Sequence, residues 1–137
     1  MSDTDGAPGG LGKAPSCKSG EADDRYASYS NYAVGTAAIA HTVAAPGTCV
    51  VSDRLGGGTS TYYGTSQAAP HVAGAVALCI GNGSVDGPCA GLAPAAVITR
   101  VRADAAAFAT VANGFSGDPL RPLTGRYFGY LAYAGGY

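Results

Sequence analysis

The sequence predicts an α/β fold with long loops, and three observations carry that reading. Its 22 glycines and 8 prolines call for many turns. Its alanine-rich stretches suit thin helices that pack closely against a sheet. Its composition, 47% hydrophobic and only 12% charged, is that of a globular chain and not a disordered one. At 137 residues it forms at most one domain, large enough to bury a core.

Taken in order, residues 1–25 are polar and rich in glycine, proline and charge, so they read as a loop without its own core. "YASYSNYAV", residues 26–34, alternates aromatics with serines at period two and predicts a short strand or extended edge. "AHTVAAPGTCVVSD", residues 40–53, offers a small apolar stretch, a Pro-Gly turn and a β-branched strand around Cys49 to Ser52. "RLGGGTSTYYGT" follows as a glycine turn with a β-rich return, which predicts a hairpin leading into Ser66.

From about Ser66 to Ile80 nearly every position is apolar, and Gly81 closes the run. A helix apolar on all sides is expected to be central and buried. Its longest apolar stretch, "VAGAVALCI", falls well short of the roughly 20 residues that cross a bilayer. "LAPAAVITRVRADAAAF", residues 92–108, sets Pro94 near the first helical position and spaces Val97, Ile98, Val101 and Ala105 along one face. That predicts an amphipathic surface helix. "GRYFGYLAYAGGY" reads as a last strand.

Four cysteines allow three pairings. Cys79 and Cys89 bracket "IGNGSVDGP", a flexible loop that a disulfide could close, leaving Cys17 and Cys49 for a second bridge. Four reduced, buried thiols are the other reading. No C-x-x-C spacing occurs and the two histidines are not at zinc-finger spacing, so no metal site is expected. A net charge of −1 without a basic stripe leaves no footprint for nucleic acid. The opening "MSDTDGAPGG" has neither the positive start nor the apolar stretch of a signal peptide. Bridges would imply an oxidising compartment, and that tension places the expected native start upstream of Met1.

Chemistry centres on "YYGTSQAAPHVAGAVAL", residues 62–78. A serine in the first turn of a helix lies in the field of unpaired backbone N–H groups, beside a glycine that allows close approach. The alternative is that Thr65 or Ser66 merely caps the helix. A serine nucleophile needs a base. His71 lies five residues on, so on a helix it points about 140° away from Ser66, a poor geometry for a dyad. His41 has no acidic neighbour in sequence to orient its ring and reads as a spacer or edge residue. Asp3 and Asp5 read as solvated loop charges and not as a calcium loop, whose later ligand positions are missing. Pro70 cannot bond back to the Ser66 carbonyl, so the first turn is expected to be distorted or the regular helix to begin later.

"GTSQAAPHVAGAVAL" resembles the serine motif of the subtilisin-like serine peptidases: G-T-S, a variable position, two small residues, then P-H-V-A-G. "YASYSNYAV" is similar to that family's A-x-F-S-N-Y-G segment, and "VAAPGTCVVSD" to its V-A-A-P-G-x-x-I-x-S-T. The three stretches occur in the family's order and cover most of residues 26–110. The resemblance implies the C-terminal part of a doubly wound, mostly parallel sheet with a central buried helix after the serine. It implies peptide-bond hydrolysis of polypeptide substrates, with Ser66 as nucleophile and its backbone N–H as one oxyanion donor. By the same resemblance His71 is structural.

Departures bear on activity. The family's aspartate, its catalytic histidine in H-G-T-x-V-A-G and its oxyanion asparagine have no counterpart in these residues, and position 67 is glutamine where methionine is usual. Residues 1–137 therefore read as a partial catalytic domain whose partner is the upstream half, extracellular in the natural protein. The isolated chain is expected to be catalytically silent or nearly so. No cofactor is expected; calcium belongs to the family, and these residues offer no ligand set for it. The competing reading is a non-catalytic, cysteine-stapled binding or vestigial module that presents some of its nine tyrosines to a partner.

Overall fold

A computed structural model describes residues 1–2, 13–81 and 83–137. Five regular elements follow one another: α1 (Thr36–Ile39), β1 (Val50–Asp53), β2 (Thr59–Tyr62), α2 (Thr65–Ile80) and α3 (Pro94–Phe108). The described residues thus combine helices with one small sheet. Asp3 and Asp5 lie outside the described residues.

β1 and β2 form the expected hairpin, antiparallel, with Val50 opposite Tyr62 and Asp53 opposite Thr59. Gly56, Gly57 and Gly58 all take positive φ, from 75° to 95°, which turns the chain back within five residues. The Gly57 and Arg54 amides close that turn on the Arg54 and Gly58 carbonyls. Among the described residues this two-stranded antiparallel pair is the sheet.

The strands expected over residues 26–34 and at the C-terminus are not formed. The first is broken by a turn at Ser28 and Tyr29, where the Ser30 N–H donates to the Ala27 carbonyl, and the two segments meet their neighbours through single bridges: Ala33 with Tyr127, and Ala44 with Leu131. Each partner turns away after one residue pair, so no ladder grows. The aromatics of these segments pack instead. Tyr26 stacks on Phe128 at 5.2 Å, and Phe128 joins Ala44, Phe115 and Met1 in one core cluster.

The second cluster comprises Cys79 and Cys89 with Val97 and Val101, and holds α2 against α3. The α3 helix starts with Pro94 in its first turn and buries Val97, Val101 and Ala105, as the spacing predicts. Ile98, placed on the same face by sequence, is 37% exposed. One residue further round the helix, it lies at the rim of the stripe.

The α2 helix narrows one expectation and corrects another. It runs unbroken from Thr65 through Pro70 to Ile80, so regular structure does not begin later. It is also not buried on all sides: only Ala75 and Cys79 are, while Leu78 and Ile80 are each 48% exposed. An all-apolar helix needs neighbours on every face, and the described residues cover only part of its circumference.

Both disulfides join the pairs that loop closure suggested, Cys17 to Cys49 and Cys79 to Cys89. The second closes the loop after α2. The first ties the N-terminal segment to the start of β1, where Cys49 adopts the left-handed φ of 56° that side chains disfavour.

Candidate active site around Ser66

Ser66 is the second residue of α2 and is exposed. Gly64 occupies the capping position, and no side chain hydrogen-bonds to the helix start. Ser66 is therefore not spent on capping. Its hydroxyl stands beside the unpaired N–H groups of a first helical turn, where developing negative charge is favoured.

Two glycines set the position of that turn. The Gly64 N–H donates to the Gly47 carbonyl at 2.8 Å. A Cβ on Gly47 would come within 2.8 Å of the Gly64 oxygen and 3.2 Å of the Ala68 Cβ, so only glycine permits the approach. Gly64 itself has φ of 150°, and a Cβ there would meet the Gln67 side-chain oxygen at 2.8 Å. The glutamine that replaces the usual methionine thus folds back over the start of the helix.

Both histidines hydrogen-bond to backbone carbonyls of their own helical turns. The exposed His71 places Nδ1 2.8 Å from the Gln67 carbonyl, one turn back on its own helix. A carbonyl only accepts, so Nδ1 carries the proton and the ring is held by backbone, not by a carboxylate. His41 repeats the arrangement with the Ala37 carbonyl at 2.9 Å. The helical geometry read from sequence, with His71 turned away, matches this placement.

Two buried carboxylates have structural duties. Glu21 accepts the Ser28 N–H at 2.9 Å and both the Ser28 and Ser2 hydroxyls. Asp118 accepts the Phe115, Leu120 and Arg121 amides, each at 2.9 Å. No group of three or more His, Cys, Asp or Glu side chains among the described residues is arranged to hold a metal ion.

A cavity of about 390 Å³ adjoins the first half of α2. Thr65, Ala68 and Val72 line it from the helix, facing Tyr29, His41 and Phe128. Ser66 is absent from that lining; on the helix it stands about 100° round from Thr65, which lines the cavity.

Sequence reasoning missed a hydroxyl network beneath the turn. The Tyr29 hydroxyl donates to the Gly47 carbonyl at 3.0 Å and lies 2.5 Å from Thr48 Oγ1, which is 2.9 Å from Ser2 Oγ. Burial raises the Tyr29 pKa, the Thr48 hydrogen bond opposes the rise, and the Glu21 and Tyr63 charges add to it, so the phenol keeps its proton at neutral pH. The available signal was the tyrosine at position 29, where the related pattern has phenylalanine.

Part of the chain is similar in sequence to known proteins. The chain matches 48% of positions over 66 residues of subtilisin-like protease 6 from Arthroderma benhamiae, 48% of this chain and 15% of that protein. Subtilisin-like protease 7 of Arthroderma gypseum is 45% identical over 65 residues, 47% of this chain and 15% of the relative. Subtilisin-like protease 6 of Trichophyton verrucosum is 47% identical over 66 residues, again 15% of its length. The matched stretch is thus a small share of each curated relative. No solved structure gives a significant match. The family model described as the subtilase family matches residues 7–106, a span that includes the serine turn, both glycines and the hairpin, and this chain belongs to that family.

Proposed function

We propose that this chain supplies the nucleophile of a subtilisin-like serine endopeptidase and works only when joined to the half of the domain that bears the base. Ser66 would attack the peptide carbonyl, and its own backbone N–H, at the start of α2, would hold the oxyanion. The observation that carries this reading is an exposed Ser66, free of capping duty, at the glycine-flanked start of a helix.

The isolated chain would be silent or nearly so. His71 and His41 are both tied to backbone carbonyls and neither is oriented by an acid. Without a base the attack loses orders of magnitude, and lack of the family's oxyanion asparagine removes about 3 kcal/mol more of transition-state stabilisation. The doubly wound, mostly parallel sheet and the burial of α2 belong to the completed domain. Its upstream half would cover the exposed Leu78 and Ile80 and wall the cleft around Ser66. Two disulfides fit an oxidising, extracellular setting, and no described helix is long and apolar enough to cross a membrane.

Labelling with a fluorophosphonate tests the proposal. The chain alone should show no measurable labelling, whereas the same chain fused to the upstream half of a relative's catalytic domain should label at Ser66 and lose labelling in Ser66→Ala. Fast, stoichiometric labelling of the chain alone contradicts the silence. No labelling of a folded fusion favours the non-catalytic binding reading, for which Tyr62 and Tyr63, 61% and 45% exposed, would be contact residues.

A further inference from the structure

We infer that the Tyr29 hydroxyl is a positioning group for the serine turn: it fixes the Gly47 carbonyl that receives the Gly64 N–H, two residues ahead of Ser66. The inference rests on the proposed role of Ser66 for its functional meaning, but its geometry stands apart from catalysis.

The direction of the phenol's own hydrogen bonds is fixed. The Gly47 carbonyl can only accept, so the phenol donates its single proton there, at 3.0 Å. Its oxygen is then free to accept from the Thr48 hydroxyl at 2.5 Å. The Thr48 oxygen in turn lies 2.9 Å from Ser2 Oγ. Thr48 is 2% exposed and Tyr29 is half-buried against the Tyr63 ring, with centroids 5.4 Å apart, so water competes weakly for these groups.

The Gly47 carbonyl thus receives two donors, the Tyr29 O–H and the Gly64 N–H at 2.8 Å. Together they occupy both lone pairs and fix the tilt of the peptide plane between residues 47 and 48. The space where a Cβ of Gly47 would stand is taken up by the Gly64 oxygen and Ala68, so no side chain lies between to absorb a shift. A change in the tilt of that carbonyl therefore passes directly to the first turn of α2. Phenylalanine, the residue of the related pattern at this place, fills the same volume but cannot donate.

Amide hydrogen exchange by NMR on the complete chain tests this without needing any catalysis, so its failure is separable from failure of the peptidase reading. In the unsubstituted chain the Tyr29 hydroxyl proton should be seen as a slowly exchanging resonance. In Tyr29→Phe the Gly64 amide should exchange about tenfold faster, with a shift of the Ser66 amide resonance, while the Cys79 amide at the far end of α2 keeps its rate. Thr48→Val, which leaves the phenol only the Gly47 carbonyl, should retain Gly64 protection within about twofold. A Tyr29 hydroxyl proton in fast exchange with water overturns the inference. So does an unchanged Gly64 rate in Tyr29→Phe, an equal acceleration at Gly64 and Cys79, or loss of Gly64 protection in Thr48→Val.

Discussion

At its C-terminal end α2 buries Cys79 completely, bonds it to Cys89 and packs both against Val97 and Val101 of α3. At its N-terminal end Ser66, Pro70 and His71 are exposed, and the turn is located by backbone contacts between Gly47 and Gly64. One helix therefore has an anchored end and an open end. The anchored end supplies cohesion through apolar burial and a covalent staple. The open end gives up that burial, and in exchange leaves the Ser66 hydroxyl accessible at an uncapped helix start. Stability and chemistry are separated along a single element about 24 Å long, at 1.5 Å per residue.

That separation is open to challenge by substitution. The largest effect is expected at the staple. Replacing Cys79 and Cys89 together by alanine should lower the unfolding free energy by about 3 kcal/mol through the lost loop constraint, measured by urea denaturation. Val101→Ala comes next. The side chain is 2% exposed in the α2–α3 contact, and its truncation should cost about 2 kcal/mol. In neither variant should amide exchange at Gly64 speed up by more than the global loss of stability dictates. A selective rise at Gly64 would show that the two ends are coupled.

A smaller effect concerns the C-terminal tail, which rests on α3 rather than on the serine turn. The Tyr137 hydroxyl donates to Asp104 at 3.0 Å, and Tyr133 stacks on Phe108 at 3.8 Å. Burial pushes the Tyr137 phenol up to about 12, the hydrogen bond to Asp104 and its charge add to the rise, and Arg100 opposes it. A folded pKa above the unfolded value of 10.0 means the contribution is complete below pH 10 and is lost as pH rises through about 12. Tyrosine absorbance should report one phenol titrating late in that window and absent in Tyr137→Phe. The serine turn should not respond to that substitution.

The smallest expected effect on stability is at the proposed nucleophile. Ser66→Ala removes an exposed hydroxyl that caps nothing and should change the unfolding free energy by less than about 0.5 kcal/mol. A loss above about 1 kcal/mol would make Ser66 a structural residue and erase the distinction between the two ends.

Local signals were legible wherever neighbours in sequence are neighbours in space. The hairpin follows from three glycines between β-prone runs, α3 from its apolar spacing, and the 79–89 bridge from the short loop it closes. The two expected strands at residues 26–34 and at the C-terminus were not, because a strand exists only with a continuous partner. Period-two alternation describes an extended chain and says nothing about what lies beside it. The placement of His71 away from Ser66 was readable, since 3.6 residues per turn settles it.

By itself, then, the sequence determined where α2 begins and ends, which residues lie in its first turn, and that this turn belongs to the subtilase family. Those are properties of short-range backbone geometry and of an ordered motif. Only the tertiary structure decided which faces of α2 are covered, that a cavity is lined by Thr65, Ala68 and Val72 but not by Ser66, and that Tyr29 reaches Gly47 eighteen residues away. Burial and long-range hydrogen bonds depend on chain segments meeting in space, and local propensity carries no record of that meeting.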